Sequence, residues 1–146
     1  MSLKQWAENN WLLPHETTRE EVGNLLSVAE RSLGDAEKDI SPDGSFMMAY
    51  NAALNLCTIL LYAEGYRPAK VPLRHYRTIA ALPLILGAEK NKDAIYLDAC
   101  RIKRNKVEYD YAGVANRSEA RELVKFVKTL KEEVIRWLKA KHRGLV

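Results

Sequence analysis

The stretch "SPDGSFMMAYNAALNLCTILLYAEGY", residues 41–66, decides how the chain folds. Phe46, Met47, Tyr50, Ala53, Leu54, Cys57, Leu60 and Leu61 recur at helical spacing. Ala49, Ala52, Leu56 and Ile59 make most of the remaining surface apolar as well. A helix apolar nearly all round belongs in the middle of a bundle, so the spacing predicts a central helix over 43–64. Gly65 is placed to end it in the left-handed conformation, and Pro68 and Pro72 then bracket an extended loop, "YRPAKVP". The apolar run "AALNLCTILLYA" is about twelve residues and contains Asn and Thr, shorter than the roughly 20 needed to span a bilayer, so no membrane segment is expected.

On the N-terminal side, "TTREEVGNLLSVAERSLGDAE", residues 17–37, carries Val22, Leu25, Leu26, Ala29, Leu33 and Ala36 three and four apart. That is the pattern of an amphipathic helix, with Thr17 and Glu20 as a capping-box start. Before it, "LKQWAENNWLLPHE" holds two of the three tryptophans. Residues 1–16 are therefore expected to dock on the bundle, with a subunit contact as the alternative.

On the C-terminal side, "LRHYRTIAALPLILG" predicts a helix from about Leu73 that Pro83 kinks or divides and Gly87 closes. "NKDAIYLDACRIKRNKVEYDY", residues 91–111, predicts the next. "NRSEARELVKFVKTLKEEVIRWLKAKH" predicts the last, opened by Asn116 or Ser118 and running on Val124, Val127, Leu130, Val134 and Leu138. No strand-like alternation is seen. The expectation is an all-α, antiparallel up-down bundle of four to five helices in a single domain, 1–146, consistent with a length of 146 residues.

A composition of 47% hydrophobic and 29% charged residues with only 7 Gly and 5 Pro excludes a disordered chain. The net charge of +4 permits anionic partners without requiring them. Cys57 and Cys100 sit inside apolar helical patterns, and no secretory leader is read, so a cytoplasmic protein with reduced thiols is expected. His15 and His142 have no partner at ligand spacing, and no Gly-rich phosphate loop, nucleophile elbow or dinucleotide fingerprint occurs. No metal and no cofactor are expected.

The predicted 91–111 helix separates into two stripes. Ile95, Ala99, Ile102 and Tyr109 fall within about 80° of one another, given roughly 100° per residue, and read as the core face. Leu97, Cys100, Arg104, Val107 and Tyr111 lie opposite, with Arg104 the only cation among them. A guanidinium on a partly covered apolar stripe is a candidate anion site. The plain alternative is an exposed Arg104–Glu108 pair worth about 0.3–0.5 kcal/mol. Lys103, Lys106 and Arg101 project between the stripes and read as solvated charges.

The block "RNKVEYDY", residues 104–111, together with the helical order, resembles the HEPN superfamily of small prokaryotic all-α domains, often encoded beside minimal nucleotidyltransferases. The hallmark is an Arg, a polar residue, then after a short gap a His, commonly with a Tyr two residues on. Arg104, Asn105 and Tyr111 fit, while Tyr109 stands in the His slot. "SFMMAYNAALNLCTILLYAEGYRP" resembles the family's second helix and "LRHYRTI" the start of its third. The resemblance runs from about 17 to 140.

It implies an RNA- or nucleotide-binding module in which Arg104, Asn105, Tyr109 and Tyr111 contact the ligand, a homodimer with a composite cleft, and a nucleotidyltransferase partner protein. In active members the Arg and His act as a metal-independent ribonuclease of toxin–antitoxin type. Here Tyr109, with an ordinary pKa near 10, is poorly matched to proton transfer at neutral pH, so His75, flanked by Arg74 and Arg77, is the alternative proton carrier beside Arg104. A third reading is a non-catalytic dimeric interaction protein.

Overall fold

The structure is a computed structural model that describes residues 1–109 and 112–146, with Glu108 and Tyr109 described by their backbone alone. It is an all-α bundle. The helices are α1 (Leu3–Glu8), α2 (Arg19–Ala36), α3 (Pro42–Ala63), α4 (Arg74–Leu86), α5 (Asn91–Tyr109) and α6 (Arg117–Lys141).

The central position of α3 follows from its surface. Ala49, Ala52, Leu56, Ile59 and Leu61 are fully buried on sides that an ordinary amphipathic helix would leave to solvent. This helix touches α2, α4, α5 and α6, and buries one face against each. It is long and apolar enough by length and composition to cross a membrane, a test that the core helix of a bundle also passes, and 56% of that window is buried inside the protein.

The sequence expectations need three local corrections. Two short strands, β1 (Leu12–Pro14) and β2 (Tyr66–Pro68), pair antiparallel, with Leu13 opposite Arg67. Three residues are too few for alternation to register in a sequence. The capping box of α2 uses Thr18 and Glu21 rather than Thr17 and Glu20, because the Thr17 hydroxyl instead donates to the Tyr62 carbonyl at 2.5 Å. Finally, α4 runs past Pro83 to Leu86 before Gly87 stops it at φ 122°. Asn116 opens α6 with Glu119 as its capping partner, and Val127, Leu130, Val134 and Leu138 are buried as the spacing predicts.

The N-terminal segment lies on the bundle. Trp6 and Leu12 pack with Leu61 of α3 and Ala81 of α4 in a small second cluster, and Trp11 meets Trp6 edge to face with ring centres 6.1 Å apart.

The two stripes of α5 are placed the other way round from the sequence reading. Leu97 and Cys100 are in the core, whereas Ile95 is 64% and Ile102 47% exposed. Both stripes are apolar, and hydropathy alone does not select between them. The side that meets α3 carries Ala94, Leu97 and Cys100, and these join the main core.

Candidate functional site

Between β2 and α4 the chain is held open by its own contacts. The backbone N–H of Ala69 donates to the Trp11 carbonyl at 3.0 Å. Arg77 donates to the Pro72 carbonyl at 3.0 Å and lays its guanidinium 4.0 Å from the centre of the Trp11 ring. Leu73, which precedes α4, has φ 65° and ψ 19° and makes no side-chain cap. For a branched residue that conformation costs about 1–2 kcal/mol, and it is 58% exposed. The strained residue directs the first turn of α4, with Arg74, His75 and Tyr76, toward α5.

The result is a groove of about 410 Å³ lined by Lys70, Leu73, Arg74, His75, Tyr76 and Arg101. Lys70, Arg74 and His75 also form the wall of a second hollow of about 310 Å³ that reaches Arg67, Asn55 and Tyr62. Among the described residues no carboxylate lines either hollow. Arg101 is fixed by a 2.8 Å bond from its Nε to Asp98 and lies 5.7 Å from the centre of the Tyr76 ring. Phosphate or carboxylate is the chemistry such a guanidinium fork meets bidentately.

His75 is half-buried in this cluster, its Nε2 3.4 Å from Arg74. Burial, then the charges of Arg74, Arg104 and Arg101, hold its pKa below the ordinary 6.5. Arg101 of α5 lines the same groove as this imidazole.

Arg104 continues the buried stripe of Leu97 and Cys100. Its side chain is half-buried, its Nε is shielded from solvent, and its guanidinium carbon lies 5.8 Å from the centre of the Tyr50 ring in α3. Tyr50 is 1% exposed. Burial pushes the Tyr50 hydroxyl well above its usual pKa, against the opposing pull of Arg104 and Arg101. That hydroxyl has no hydrogen-bond partner among the described residues.

The other sequence candidates fall as follows. Asn105 is exposed on α5. The side chain of Tyr109 and the whole of Tyr111 lie outside the described residues, as does the side chain of Glu108. Lys103 is not a plain solvated charge, because it pairs with Glu119 of α6, and Arg101 is likewise held by Asp98. Arg101, Lys70 and Tyr76 were missed as site residues. Arg101 looked like an ordinary flank charge because its neighbours come from α4, far away in sequence.

Neither a protein-family model nor a curated protein nor a solved structure matches the chain. The site is therefore read from its own chemistry.

Among the described residues no group of three or more His, Cys, Asp or Glu is placed to hold a metal ion. Both cysteines are buried, and burial pushes Cys57 up to about 12 and Cys100 up to about 11, so neither is a thiolate nucleophile at neutral pH. The chemistry on offer is anion binding by guanidinium and ammonium groups, aromatic faces for stacking, and one neutral imidazole.

Proposed function

We propose that the protein is a HEPN-like module that binds a phosphate-bearing ligand, RNA or a nucleotide, in the cleft between the start of α4 and α5. One observation carries this reading: Arg74 of α4 and Arg101 of α5 line one groove with the half-buried His75. Guanidinium groups lining a groove suit bidentate contact with phosphate. Arg101 and Arg74 grip phosphate, Lys70 adds charge at the rim, and Tyr76 offers a ring face to a base. A homodimer and a nucleotidyltransferase partner belong to the same proposal.

The test is binding of labelled RNA and of nucleotides to wild type, Arg104→Ala, Arg101→Ala and the control Lys92→Ala, an exposed cation near the start of α5. Loss of one charge-assisted contact is expected to weaken binding roughly tenfold to hundredfold, the equivalent of about 1.5–3 kcal/mol. Equal weakening in the control would reduce the cleft to general surface charge.

A second reading is favoured by the state of His75. A half-buried imidazole in one groove with Arg74 and Arg101 suits a metal-independent ribonuclease in which the 2′-hydroxyl attacks its own phosphate, His75 takes the hydroxyl proton and an Arg steadies the developing charge. Products ending in a 2′,3′-cyclic phosphate, lost in His75→Ala, would support it.

A further inference from the structure

A separate hollow, of about 700 Å³, shares no lining residue with the cleft. It lies between the turn after α2, the first turn of α3 and the N-terminal half of α6, and Lys38, Arg117, Arg121, Lys125 and Lys128 line it together with the carboxylates Glu37, Asp39 and Glu132.

Four of these cations belong to a longer pattern. At roughly 100° per residue, Arg117, Arg121, Lys125, Lys128, Arg136 and Lys139 fall within one sector of α6 about 100° wide, over a length of about 33 Å at 1.5 Å per residue. All six are exposed, and Glu132 is the one carboxylate in the sector. The other acids of α6 sit on its far flank, where Glu119 pairs with Lys103 and Glu133 with Lys90.

The helix carries eight cations against four carboxylates, and that excess equals the net +4 of the whole chain. Lys128 is shared with Glu37 at 2.7 Å, and Arg117 donates to the Ile40 carbonyl at 2.9 Å. Arg121, Lys125, Arg136 and Lys139 have no ion-pair partner among the described residues.

We propose that this flank of α6 is a nucleic-acid contact surface that tracks a phosphodiester backbone, centred on Arg121 and Lys125. The chain's charge excess is concentrated in one straight stripe, the footprint of a linear polyanion. Neighbouring cations stand about 4.5–6 Å apart along the axis, except for a gap of about 12 Å between Lys128 and Arg136 that holds Glu132, while a nucleic-acid strand offers a charge about every 3.4 Å, so each cation meets a phosphate without a fixed register. No large apolar side chain on α6 is exposed, which leaves nothing to insert into a lipid surface. The stripe stands on its own observations and not on the cleft. It identifies the ligand as a polymer and not a lone nucleotide.

The experiment titrates a fluorescein-labelled single-stranded oligouridylate RNA of about 20 nucleotides, at several salt concentrations, into the full chain and its variants. The double variant Arg121→Ala/Lys125→Ala removes two exposed, unpaired side chains, and its circular dichroism and Tm should match wild type. Its affinity at low salt should fall at least tenfold. The slope of log K against log salt should become shallower by about 1.4, two contacts at roughly 0.7 each. Unchanged affinity and slope would overturn the proposal.

Arg74→Ala/Arg101→Ala separates the two sites. If it abolishes binding while the α6 variant binds as wild type does, the cleft stands and the stripe is refuted. The reverse result keeps the stripe and refutes the cleft. Polyglutamate or anionic vesicles that displace the RNA as well as unlabelled oligouridylate does would overturn the assignment to a phosphodiester backbone.

Discussion

The guanidinium carbon of Arg101 stands 5.7 Å from the centre of the Tyr76 ring, joining α5 to the first turn of α4 at the mouth of the basic cleft. A cation over a tyrosine face at such a distance contributes about 0.5–1 kcal/mol at an exposed site. The larger consequence is placement, since Asp98 and Tyr76 together leave the guanidinium one arc to occupy. Tyr76→Ala should weaken RNA binding severalfold with every cation still present, and Tyr76→Phe should restore it. Failure of the phenylalanine to restore binding would show that the hydroxyl, not the ring, is what matters.

The reversed stripes of α5 make a clean stability prediction. Leu97→Ala removes a fully buried side chain and should cost about 2–5 kcal/mol. Ile102→Ala, at a site 47% exposed, should cost under about 1 kcal/mol. Denaturant unfolding of both variants checks the order, and the opposite order would return the core to the Ile95 side.

Those two stripes also mark what was legible in the sequence. The central α3, the amphipathic α2 and α6 and the cap at Asn116 follow from periodicity and local capping chemistry. The face of α5 does not, because Ile95, Ala99 and Ile102 are as apolar as Leu97 and Cys100, and only the packing against α3 distinguishes them. The cleft was half legible. His75 stood out as chemistry, but Arg101, Lys70 and Tyr76 acquire meaning only when α4 is laid against α5.

Ile95 and Ile102, exposed on one side of α5, are the apolar side chains on which a second copy is expected to sit. Light scattering should give twice the 16.6 kDa chain mass at tens of micromolar, and Ile95→Lys/Ile102→Lys should halve it with the Tm little changed. A monomeric wild type would remove the dimer from the proposal.

Tyr50→Phe should leave stability unchanged or raise it by up to about 1 kcal/mol, because the deleted hydroxyl is buried without a partner among the described residues. A loss of more than about 1 kcal/mol in denaturant unfolding would show that the hydroxyl is bonded.

His75 couples folding to pH in a defined direction. Its folded pKa lies below the ordinary 6.5, with burial the leading cause, so the unfolded chain takes up its proton first. The contribution is complete above pH 6.5 and declines as pH falls below that value. His75→Asn should flatten this part of the stability profile, leaving the acid limb below pH 5 to the carboxylates, among them Glu21, lowered chiefly by its bond to His15.

The most direct test of the phosphate cleft is the NMR titration of the His75 imidazole with and without saturating RNA oligonucleotide. Free protein should titrate below 6.5. A phosphate seated among Arg74, Arg101 and His75 should neutralise the surrounding charge and raise the imidazole pKa by about one unit or more, with proton uptake on binding. RNA binding that leaves the His75 titration where it was would contradict the cleft as the binding site.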